Sequence, residues 1–340
     1  MHKTDIIEHN VSLKPFNTFG IAVKAKNFIA VSSVDKLKEV LQLKTYPKKF
    51  VLGGGSNMLL TQDIEALVIK IDLKGIDIIL KENDFTYVRV AAGENWHQFV
   101  QWAIGKDLGG LENLSLIPGN VGTAPIQNIG AYGVELKDIF HSCEALDANT
   151  LELVSFTRED CRFAYRDSFF KRNKGKYIIT SVTFRLTSNN HNINISYGAI
   201  GAELQKQGIK NPNIRQISNA VINIRESKLP NPKELGNSGS FFKNPVVPTS
   251  VFETLKKTYP EIPHYTVSAT EVKIPAGWLI EQCGYKGKRY GDAGIHKNQA
   301  LVLVNYGNAS GKELWDLALK IQQSVKEKFN ILIEPEVNVY

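Results

Sequence analysis

The 340-residue sequence lacks the features that mark secreted, membrane-spanning or metal-binding proteins. Its three cysteines, Cys143, Cys161 and Cys283, are odd in number and far apart, which argues against a disulfide framework or a zinc site and for a reducing compartment. No run of about 18 apolar residues predicts a transmembrane helix, and the first ten residues lack the apolar core of a signal peptide. No two histidines stand at metal-ligand spacing. These absences predict a cytoplasmic protein that binds neither a metal ion nor a membrane.

Basic residues outnumber acidic ones, 41 to 34, which gives a net charge of +7. A nucleic-acid-binding surface would require a basic stripe with interleaved aromatic residues, whereas the only dense basic patch lies among glycines. That patch consists of Lys286, Lys288, Arg289 and Lys297. An attraction for anionic small molecules ranks first among the explanations of the charge, scattered solvated lysine second and nucleic acid last.

Residues 117–133 read IPGNVGTAPIQNIGAYG, with four glycines, two prolines and no charge. Glycine and proline disfavour both helix and strand, yet the apolar residues in this stretch are unlike a solvated linker. We interpret it as a buried irregular loop whose backbone N–H groups are available to a ligand. The amides of Gln127 and Asn128 could read a planar heterocycle. A tightly packed structural loop is an equally acceptable interpretation.

A second glycine-rich segment, residues 53–57 (GGGSN), follows the strand-like residues KFVL. A strand that runs into such a turn is the usual setting for a phosphate cradle made of backbone N–H groups. The segment is neither a dinucleotide fingerprint, because Met58 stands where the last glycine is required, nor a Walker loop, because no Gly-Lys-Ser/Thr follows. If it binds a pyrophosphate, it does so on another fold.

Apolar periodicity and capping signals predict the elements around these loops. Predicted helices begin near Asp35, at the cap Asn95, near residue 212, at a capping box of Ser250 and Glu253, at Pro275, and at a capping box of Ser310 and Glu313. Predicted strands include 67–70, 86–92, LELVSF, YIITSVTFRL and ALVLVN. LELVSF and YIITSVTFRL together indicate a mixed or antiparallel sheet. The proline- and glycine-rich stretch after residue 226 predicts a domain boundary.

Three polar groups are candidates for chemistry, each with a plainer alternative. Arg166, in FAYRDS, can bind a planar carboxylate or phosphate bidentately, or it is a surface charge. Ser240, in GNSGSFF, can approach a ligand closely and protonate a strongly basic carbon, or it forms a turn. Glu334 and Glu336 would share one face of a strand that ends or forms an edge at Pro335, or they are solvated charges.

Taken together and in order, these segments resemble the UDP-N-acetylenolpyruvoylglucosamine reductase family over residues 14–337. The most specific are GLENLSLIPGNVGTAPIQNIGAYGVEL and SKLPNPKELGNSGSFFKNP, and the others are KPFNTFG, GGGSN, AGENWH, CRFAYRDSFFK, Tyr197-Gly198, AGWLIEQC, NQALVL and IEPEV. The presence of Tyr197 and the form PIQNIGAYG resemble the subtype with a substrate-closing tyrosine loop.

The resemblance implies an α+β protein, with a two-subdomain FAD-binding fold of the vanillyl-alcohol-oxidase (PCMH) type and a separate α+β substrate-binding domain. The implied domains are FAD-binding subdomain 1 at 1–70, FAD-binding subdomain 2 at 71–225, joined by a C-terminal strand at 330–340, and the substrate domain at 226–329. It implies non-covalent FAD as cofactor and NADPH as hydride donor.

The resemblance also implies the site residues. Catalytic roles fall on Arg166, Ser240 and Glu336. Cofactor contacts fall on Gly53, Gly54, Gly55, Ser56, Asn57, Ile117, Pro118, Gly119, Gly122, Thr123, Gln127, Asn128, Gly130, Ala131 and Tyr132. Contacts to the substrate or its diphosphate fall on Tyr165, Tyr197, Lys228, Asn244, Tyr265, Lys273 and Gln299, and no metal ligand is implied.

The implied reaction reduces the enolpyruvyl group of UDP-N-acetyl-3-O-(1-carboxyvinyl)-glucosamine to UDP-N-acetylmuramate, a cytoplasmic step of peptidoglycan synthesis that serves cell shape, cell division and the cell cycle. Arg166 and Glu336 would flank the substrate carboxylate, and Glu336 must be protonated or act through a donor to assist an enolate. Ser240 would protonate the carbanion. The implied protein is a monomer that binds a UDP-sugar and NADPH, but no nucleic acid or membrane.

Rival interpretations differ in what they require. Another FAD-dependent oxidase or dehydrogenase of the same fold is the nearest, because fold does not fix function, and absence of GNSGSFFKNP and IEPEV would favour it. A basic nucleic-acid-binding module requires clustered Lys and Arg and steep salt dependence. An inactive flavin binder is the third, but nothing in the sequence favours it, since Arg166, Ser240 and Glu336 are all present.

Overall fold

The computed structural model describes residues 6–340. The signal-peptide prediction rests partly on Met1–Asp5, which lie outside the described residues. The strands are β1 (Glu8–Ser12), β2 (Lys24–Val31), β3 (Lys49–Leu52), β4 (Met58–Leu59), β5 (Ile64–Ile71), β6 (Ile76–Glu82), β7 (Phe85–Ala91), β8 (Gly130–Ala131), β9 (Val134–Glu135), β10 (Phe140–Asp147), β11 (Leu153–Thr157), β12 (Tyr177–Thr187), β13 (Gly236–Ser240), β14 (Val246–Pro248), β15 (Tyr265–Thr266), β16 (Glu271–Lys273), β17 (Arg289–Tyr290), β18 (Ala293–Ile295), β19 (Val302–Asn305) and β20 (Asn338–Val339).

The α-helices are α1 (Val34–Gln42), α2 (Trp96–Gly105), α3 (Arg158–Cys161), α4 (Phe169–Arg172), α5 (Gly198–Lys206), α6 (Ile214–Lys228), α7 (Thr249–Thr258), α8 (Ala276–Gln282) and α9 (Gly311–Phe329). Short 3₁₀ helices cover Lys14–Phe16, Glu112–Leu114, Val121–Thr123, Pro125–Gln127 and Leu136–Asp138. No helix in the described range is long and apolar enough to cross a membrane. Residues 6–340 also contain no group of three His, Cys, Asp or Glu side chains that could hold a metal ion.

Contacts divide the chain into two compact units. Unit 1 comprises the residues up to Val11, Ala25–Gly55 and Ile64–Ser227, and unit 2 comprises Ser12–Lys24, Ser56–Asp63 and Lys228–Tyr340. The chain passes from unit 1 to unit 2 between Ser227 and Lys228. The finer division into three domains stays a prediction.

Unit 1 contains two sheets. In the first, β2, β5 and β3 run parallel, and β1 adds an edge, in the order β1-β2-β5-β3. Helix α1 covers this sheet with Leu37 and Val40, which share a core with Ile29, Ile69 and neighbouring residues. The second sheet is antiparallel, in the order β11-β10-β12-β7-β6, as the alternation in β12 predicts.

Helix α2 packs on the antiparallel sheet and positions the loop discussed below. Asn95 caps it by accepting a hydrogen bond from the backbone N–H of Gln98, as predicted. Trp96, Phe99 and Phe184 bury their rings in one core, in edge-on and tilted contacts. This packing holds α2 in place on the sheet, ahead of the loop that follows it in the chain.

Unit 2 is built on the sheet β13-β19-β18-β17, the sheet β14-β16-β15 and the parallel pair β20-β4. Helix α9 buries Leu314, Leu317, Ile321 and Val325. The capping box predicted for it is confirmed, because Ser310 accepts from the Glu313 N–H and the Glu313 carboxylate accepts from the Ser310 N–H.

Two sequence-based details are wrong. Helix α7 begins at Thr249 after Pro248, so Ser250 lies inside the helix rather than capping it. Proline before the helix fixes the entry of the chain without a side-chain cap. At the C-terminus the strand is confined to Asn338–Val339, and Glu334–Glu336 lie outside it.

Candidate active site

Residues 117–133 form an irregular loop, as their composition predicts. The loop forms two successive 3₁₀ turns and then enters the β8–β9 hairpin. Its entry and interior use left-handed backbone at Leu116 (φ 58°), Asn128 (φ 46°) and Tyr132 (φ 52°). Non-glycine residues adopt this conformation at a cost, and they keep it only where surrounding contacts impose it.

The segment AGENWH (residues 92–97) provides many of those contacts. Backbone groups and two side chains of this segment, at the start of α2, bond the first part of the loop and the residues just before it. The bonds are Gly122 N–H to Ala92 O (3.0 Å), Val121 N–H to Glu94 O (2.9 Å), Trp96 N–H to Gly119 O (3.0 Å), Trp96 Nε1–H to Leu114 O (2.9 Å) and Leu116 N–H to His97 Nδ1 (3.0 Å). The family motif AGENWH is thus a clamp on the loop.

The two glycine-rich segments meet. A Cβ on Gly53 would come within 2.4 Å of Thr123 Cγ2, and one on Gly54 within 2.7 Å of the Gly119 Cα. Within the described range, the backbone N–H groups of Gly53, Gly54 and Gly55 donate no hydrogen bond to another residue. Three successive N–H donors without a protein acceptor suit a phosphate or pyrophosphate. The predicted cradle therefore fits the diphosphate of a dinucleotide.

Arg166 is fastened to the same loop. Its Nη2 donates to the Gly130 carbonyl at 2.9 Å, and its own backbone is left-handed, at φ 54°. Two further bonds join the flanking residues to the loop, from Ser168 Oγ to Ile126 O (2.6 Å) and from Asn128 Nδ2 to Ala164 O (3.1 Å). The structure thus brings the predicted catalytic guanidinium beside the predicted cofactor loop.

Tyr197 lies against that loop from another side. Its ring meets Tyr132 edge-on, with centroids 5.2 Å apart, and its side chain is 40% exposed. The buried Asn113 amide donates to the carbonyls of Tyr132 (2.9 Å) and Asn194 (3.0 Å). The Asn113 side chain therefore connects the loop to the segment that carries Tyr197, and Asn194 Nδ2 adds a bond to the Gly133 carbonyl (3.3 Å).

Replacing Asn113 with alanine should release the Tyr197 segment. Two part-buried carbonyls would lose this donor, at up to about 1–3 kcal/mol each. We expect faster hydrogen–deuterium exchange across residues 188–197 and a KM for the sugar nucleotide raised severalfold. Asn223→Ala is the matched control, because its amide makes one exposed bond to Glu203. Unchanged exchange across residues 188–197 in Asn113→Ala would show that Asn113 does not hold the segment.

Arg225 lies beside Tyr132 and near Arg166, so positive charge is concentrated here. Burial lowers the pKa of Arg225, while the Tyr132 hydroxyl beside it raises that pKa and the nearby Arg166 lowers it again. Burial also raises the pKa of Tyr132. The Arg225 Nε is buried and makes no hydrogen bond to a described residue. Two guanidinium groups near one another, one with a buried N–H that lacks an acceptor, suit an anionic ligand.

In unit 2 the structure brings Ser240 and Glu336 together. The Glu336 N–H donates to the Phe241 carbonyl at 2.7 Å, and Phe242 forms a bridge with Pro335. Ser240 ends β13 after an irregularity in its pairing with β19, where Gly239 adopts φ 68°. A bulge of this kind re-aims the next side chain, and Ser240 is exposed. Its hydroxyl makes no hydrogen bond within the described part of the chain.

Four predicted substrate residues gather around the turn from β16 into α8. Tyr265 pairs with Lys273, whose ammonium lies 5.7 Å from the Tyr265 ring centroid. The Asn244 Oδ1 accepts from the Ala276 N–H at 2.9 Å. The Gln299 Oε1 lies 3.2 Å from where a Cβ on Gly277 would be. Lys228 is the last residue of α6, outside this turn.

Two findings change how the sequence signals are understood. The Asn128 side chain is buried and already bonded to Glu135, Ala164 and the Lys137 N–H, so its amide organises the loop. Sequence reasoning also missed His97, Asn113 and Arg225. His97 stood within AGENWH and Asn113 within GLENLSL, so the motifs could have drawn attention to both, whereas nothing local distinguishes Arg225.

Comparisons with known proteins agree with this geometry. Residues 231–340 match the family model "UDP-N-acetylenolpyruvoylglucosamine reductase, C-terminal domain", and residues 25–153 match "FAD binding domain". The chain is 61% identical over 334 residues to UDP-N-acetylenolpyruvoylglucosamine reductase of Flavobacterium johnsoniae, covering 98% of this chain and 99% of that one. It is 49% identical to the Pseudomonas fluorescens enzyme of the same name, with the same coverage.

Among solved structures, the fold is similar to that of UDP-N-acetylenolpyruvylglucosamine reductase from Thermus caldophilus. The TM-score is 0.69 at 25% identity, and the alignment covers 98% of this chain and 99% of that one. These matches confirm the predicted fold class, a FAD-binding fold followed by a separate C-terminal domain.

Proposed function

Since the chain belongs to the UDP-N-acetylenolpyruvoylglucosamine reductase family, we propose that it reduces the enolpyruvyl group of the UDP-sugar to UDP-N-acetylmuramate at the expense of NADPH. The enzyme is an oxidoreductase that acts on a CH–CH group with NADP as acceptor. Its cofactors are FAD and NADPH. The step belongs to the cytoplasmic synthesis of peptidoglycan precursors, and the protein acts as a monomer.

The residues present fit FAD. The backbone N–H groups of Gly53–Gly55, which donate to no residue within 6–340, suit its diphosphate, and the buried Nε of Arg225 suits an anionic or carbonyl group. When bound, FAD supplies the hydride chemistry, by accepting a hydride from NADPH and passing it to the terminal vinyl carbon of the substrate. The chain's own residues hold the ligands and manage the charge and the proton.

Arg166 stabilises the negative charge that develops when the substrate gains a hydride. The vinyl electron pair moves to the carbon next to the carboxylate and spreads into that group, so a fixed guanidinium lowers the barrier. The bond from Arg166 Nη2 to Gly130 O fixes the orientation of this cation before the reaction begins. Glu336 also serves the carboxylate, as a protonated acid or through a bridging donor.

Ser240 completes the reduction by donating its hydroxyl proton to the carbanion. A serine hydroxyl is a weak acid, so it can do this only toward a strongly basic carbon. The serine oxygen then regains a proton from solvent, and the net addition is one hydride and one proton. The sugar nucleotide is bound by the residues predicted to contact the substrate, which are Tyr165, Tyr197, Lys228, Asn244, Tyr265, Lys273 and Gln299.

The observation that carries the proposal is the pairing of residues 240–242 with 334–336. Two short motifs that lie almost 100 residues apart in the sequence are joined by the bond from Glu336 N–H to Phe241 O, and both carry residues predicted to be catalytic. A different flavin oxidase would have no need to pair the segment of an exposed serine with the segment that carries Glu336.

Anaerobic stopped-flow absorbance in the flavin band tests the proposal. NADPH is added first and the enolpyruvyl sugar nucleotide second. We expect bleaching by NADPH and recovery of absorbance with the sugar nucleotide. Bleaching without recovery would favour another oxidase or dehydrogenase of this fold. Absence of a flavin band in folded protein given FAD would exclude the proposal.

A further inference from the structure

His97 occupies a place in the clamp that differs from its neighbours. The other bonds between residues 92–97 and the loop use backbone carbonyls as acceptors, which accept at any pH. The Leu116 N–H instead donates to the ring nitrogen Nδ1 of His97, at 3.0 Å. A ring nitrogen accepts a hydrogen bond only while it carries no proton. This contact therefore exists only with a neutral imidazole.

Leu116 is the residue at which this acceptor matters most. It adopts left-handed backbone, at φ 58°, immediately before residues 117–133. A branched aliphatic residue pays for this conformation, so the contacts around it must hold it there. Just before it, the buried Ser115 hydroxyl bonds Ser218 and donates to the Glu112 carbonyl. These bonds hold the chain up to residue 115. The bond to His97 then holds the backbone of Leu116, the residue that follows.

We propose that His97 is a positioning residue: its neutral Nδ1 holds Leu116 in the left-handed turn that orders the loop for FAD, and protonation of the ring releases the loop. The inference rests on the proposed binding of FAD by this loop. It concerns a residue whose ring bonds the backbone at the entry of the loop.

The surroundings favour the neutral ring. Burial lowers the pKa of His97, and the nearby Arg225 lowers it further, while Glu226 raises it. A free histidine has a pKa of about 6.5, so the His97 ring stays neutral to a lower pH in the ordered loop than in the released loop. By linkage the ordered loop is fully favoured above about pH 6.5, and that advantage is lost as the pH falls toward the depressed pKa. FAD affinity should fall over the same interval.

Two substitutions separate the acceptor from the titration. The Asn side chain places Oδ1 where the His ring has Nδ1, so His97→Asn keeps an acceptor that cannot be protonated in this range. His97→Phe keeps a ring and loses the acceptor. His141→Asn is the control, because His141 is exposed and contacts Tyr87 instead of the loop.

The experiment measures the dissociation constant of FAD from flavin-free protein at pH 7.5 and pH 5.5, and the amide-exchange protection of Leu116 at both. For the unchanged protein and His141→Asn we expect severalfold weaker binding and lower Leu116 protection at pH 5.5. His97→Phe should bind about fivefold more weakly at pH 7.5. His97→Asn should match the unchanged protein at pH 7.5 and lose most of its pH dependence.

Either of two results would overturn the inference: His97→Phe that binds FAD as tightly as the unchanged protein, or His97→Asn that keeps the full pH dependence. The exchange measurement needs no cofactor. If the unchanged protein bound no FAD at any pH, the proposed function would fail, whereas the Leu116 protection would still decide whether His97 holds the turn.

Discussion

Replacing Ser240 with alanine should slow reoxidation of the reduced enzyme by the sugar nucleotide by about 10²–10⁴-fold, the usual contribution of a positioned proton donor. Reduction by NADPH should remain nearly intact, because that half-reaction requires no proton from Ser240. The two half-reactions are measured separately by anaerobic stopped-flow absorbance. The asymmetry between them is the expected result, and it distinguishes loss of a proton from loss of structure.

The structure gives reason to expect the variant to fold. Ser240 is exposed, and its hydroxyl makes no hydrogen bond within the described range, so its removal leaves no buried group unsatisfied. Ser250→Ala, on the exposed face of α7 in the same unit, is the matched control and should change neither half-reaction. An equal loss in both half-reactions of Ser240→Ala would defeat the role given to Ser240.

Replacing Gly122 with alanine should weaken FAD binding by about thirtyfold, which corresponds to roughly 2 kcal/mol of overpacking. A Cβ at this position would come within 2.4 Å of the Ala92 Cβ and 2.9 Å of its Cα. Alanine has no rotamer that could move away, so the backbone of one segment must shift. The bond from Gly122 N–H to Ala92 O, which anchors the loop on AGENWH, would be strained first.

The measurement is a titration of flavin-free protein with FAD, together with the midpoint of urea unfolding. Gly201→Ala is the control, because Gly201 lies inside α5 and a Cβ there meets nothing within 4 Å. That substitution should leave FAD binding unchanged and stabilise the helix by up to about 1 kcal/mol. If Gly122→Ala bound FAD and unfolded like the unchanged protein, the close packing on Ala92 would not constrain the loop.

Local composition is enough to predict the character of the loop, but not its conformation. Glycine and proline exclude regular structure from residues 117–133, and the structure agrees. The left-handed backbone at Leu116, Tyr132 and Arg166 could not be predicted, because none is a residue that favours it. The contacts that hold this backbone come from residues far away in the sequence or across a turn, such as His97 for Leu116.

The residues proposed to be catalytic show the same limit. The residues alone made Ser240 and Glu336 candidates with a plainer alternative each, and only the family resemblance implied catalytic roles for them. The bulge before Ser240 and the backbone bond from Glu336 to Phe241 arise from tertiary pairing, which no window of sequence contains. The role of Asn113 could not be predicted for a related reason: its importance lies in two carbonyls at residues 132 and 194.

The composition of unit 2 from three separated stretches of chain has a consequence for its biosynthesis. Residues 12–24 and 56–63 emerge early, but their partners come much later: the Phe19 carbonyl accepts from Asn305 Nδ2, 286 residues away, and β4 pairs with β20. At a translation rate of roughly 5–20 residues per second, these early stretches wait roughly 14–57 s for their partners. Over that interval apolar side chains such as Leu59 and Leu60, buried in the finished unit, are candidates for chaperone capture. Expression of residues 228–340 alone would reproduce the converse defect, because β20 would have no strand to pair with.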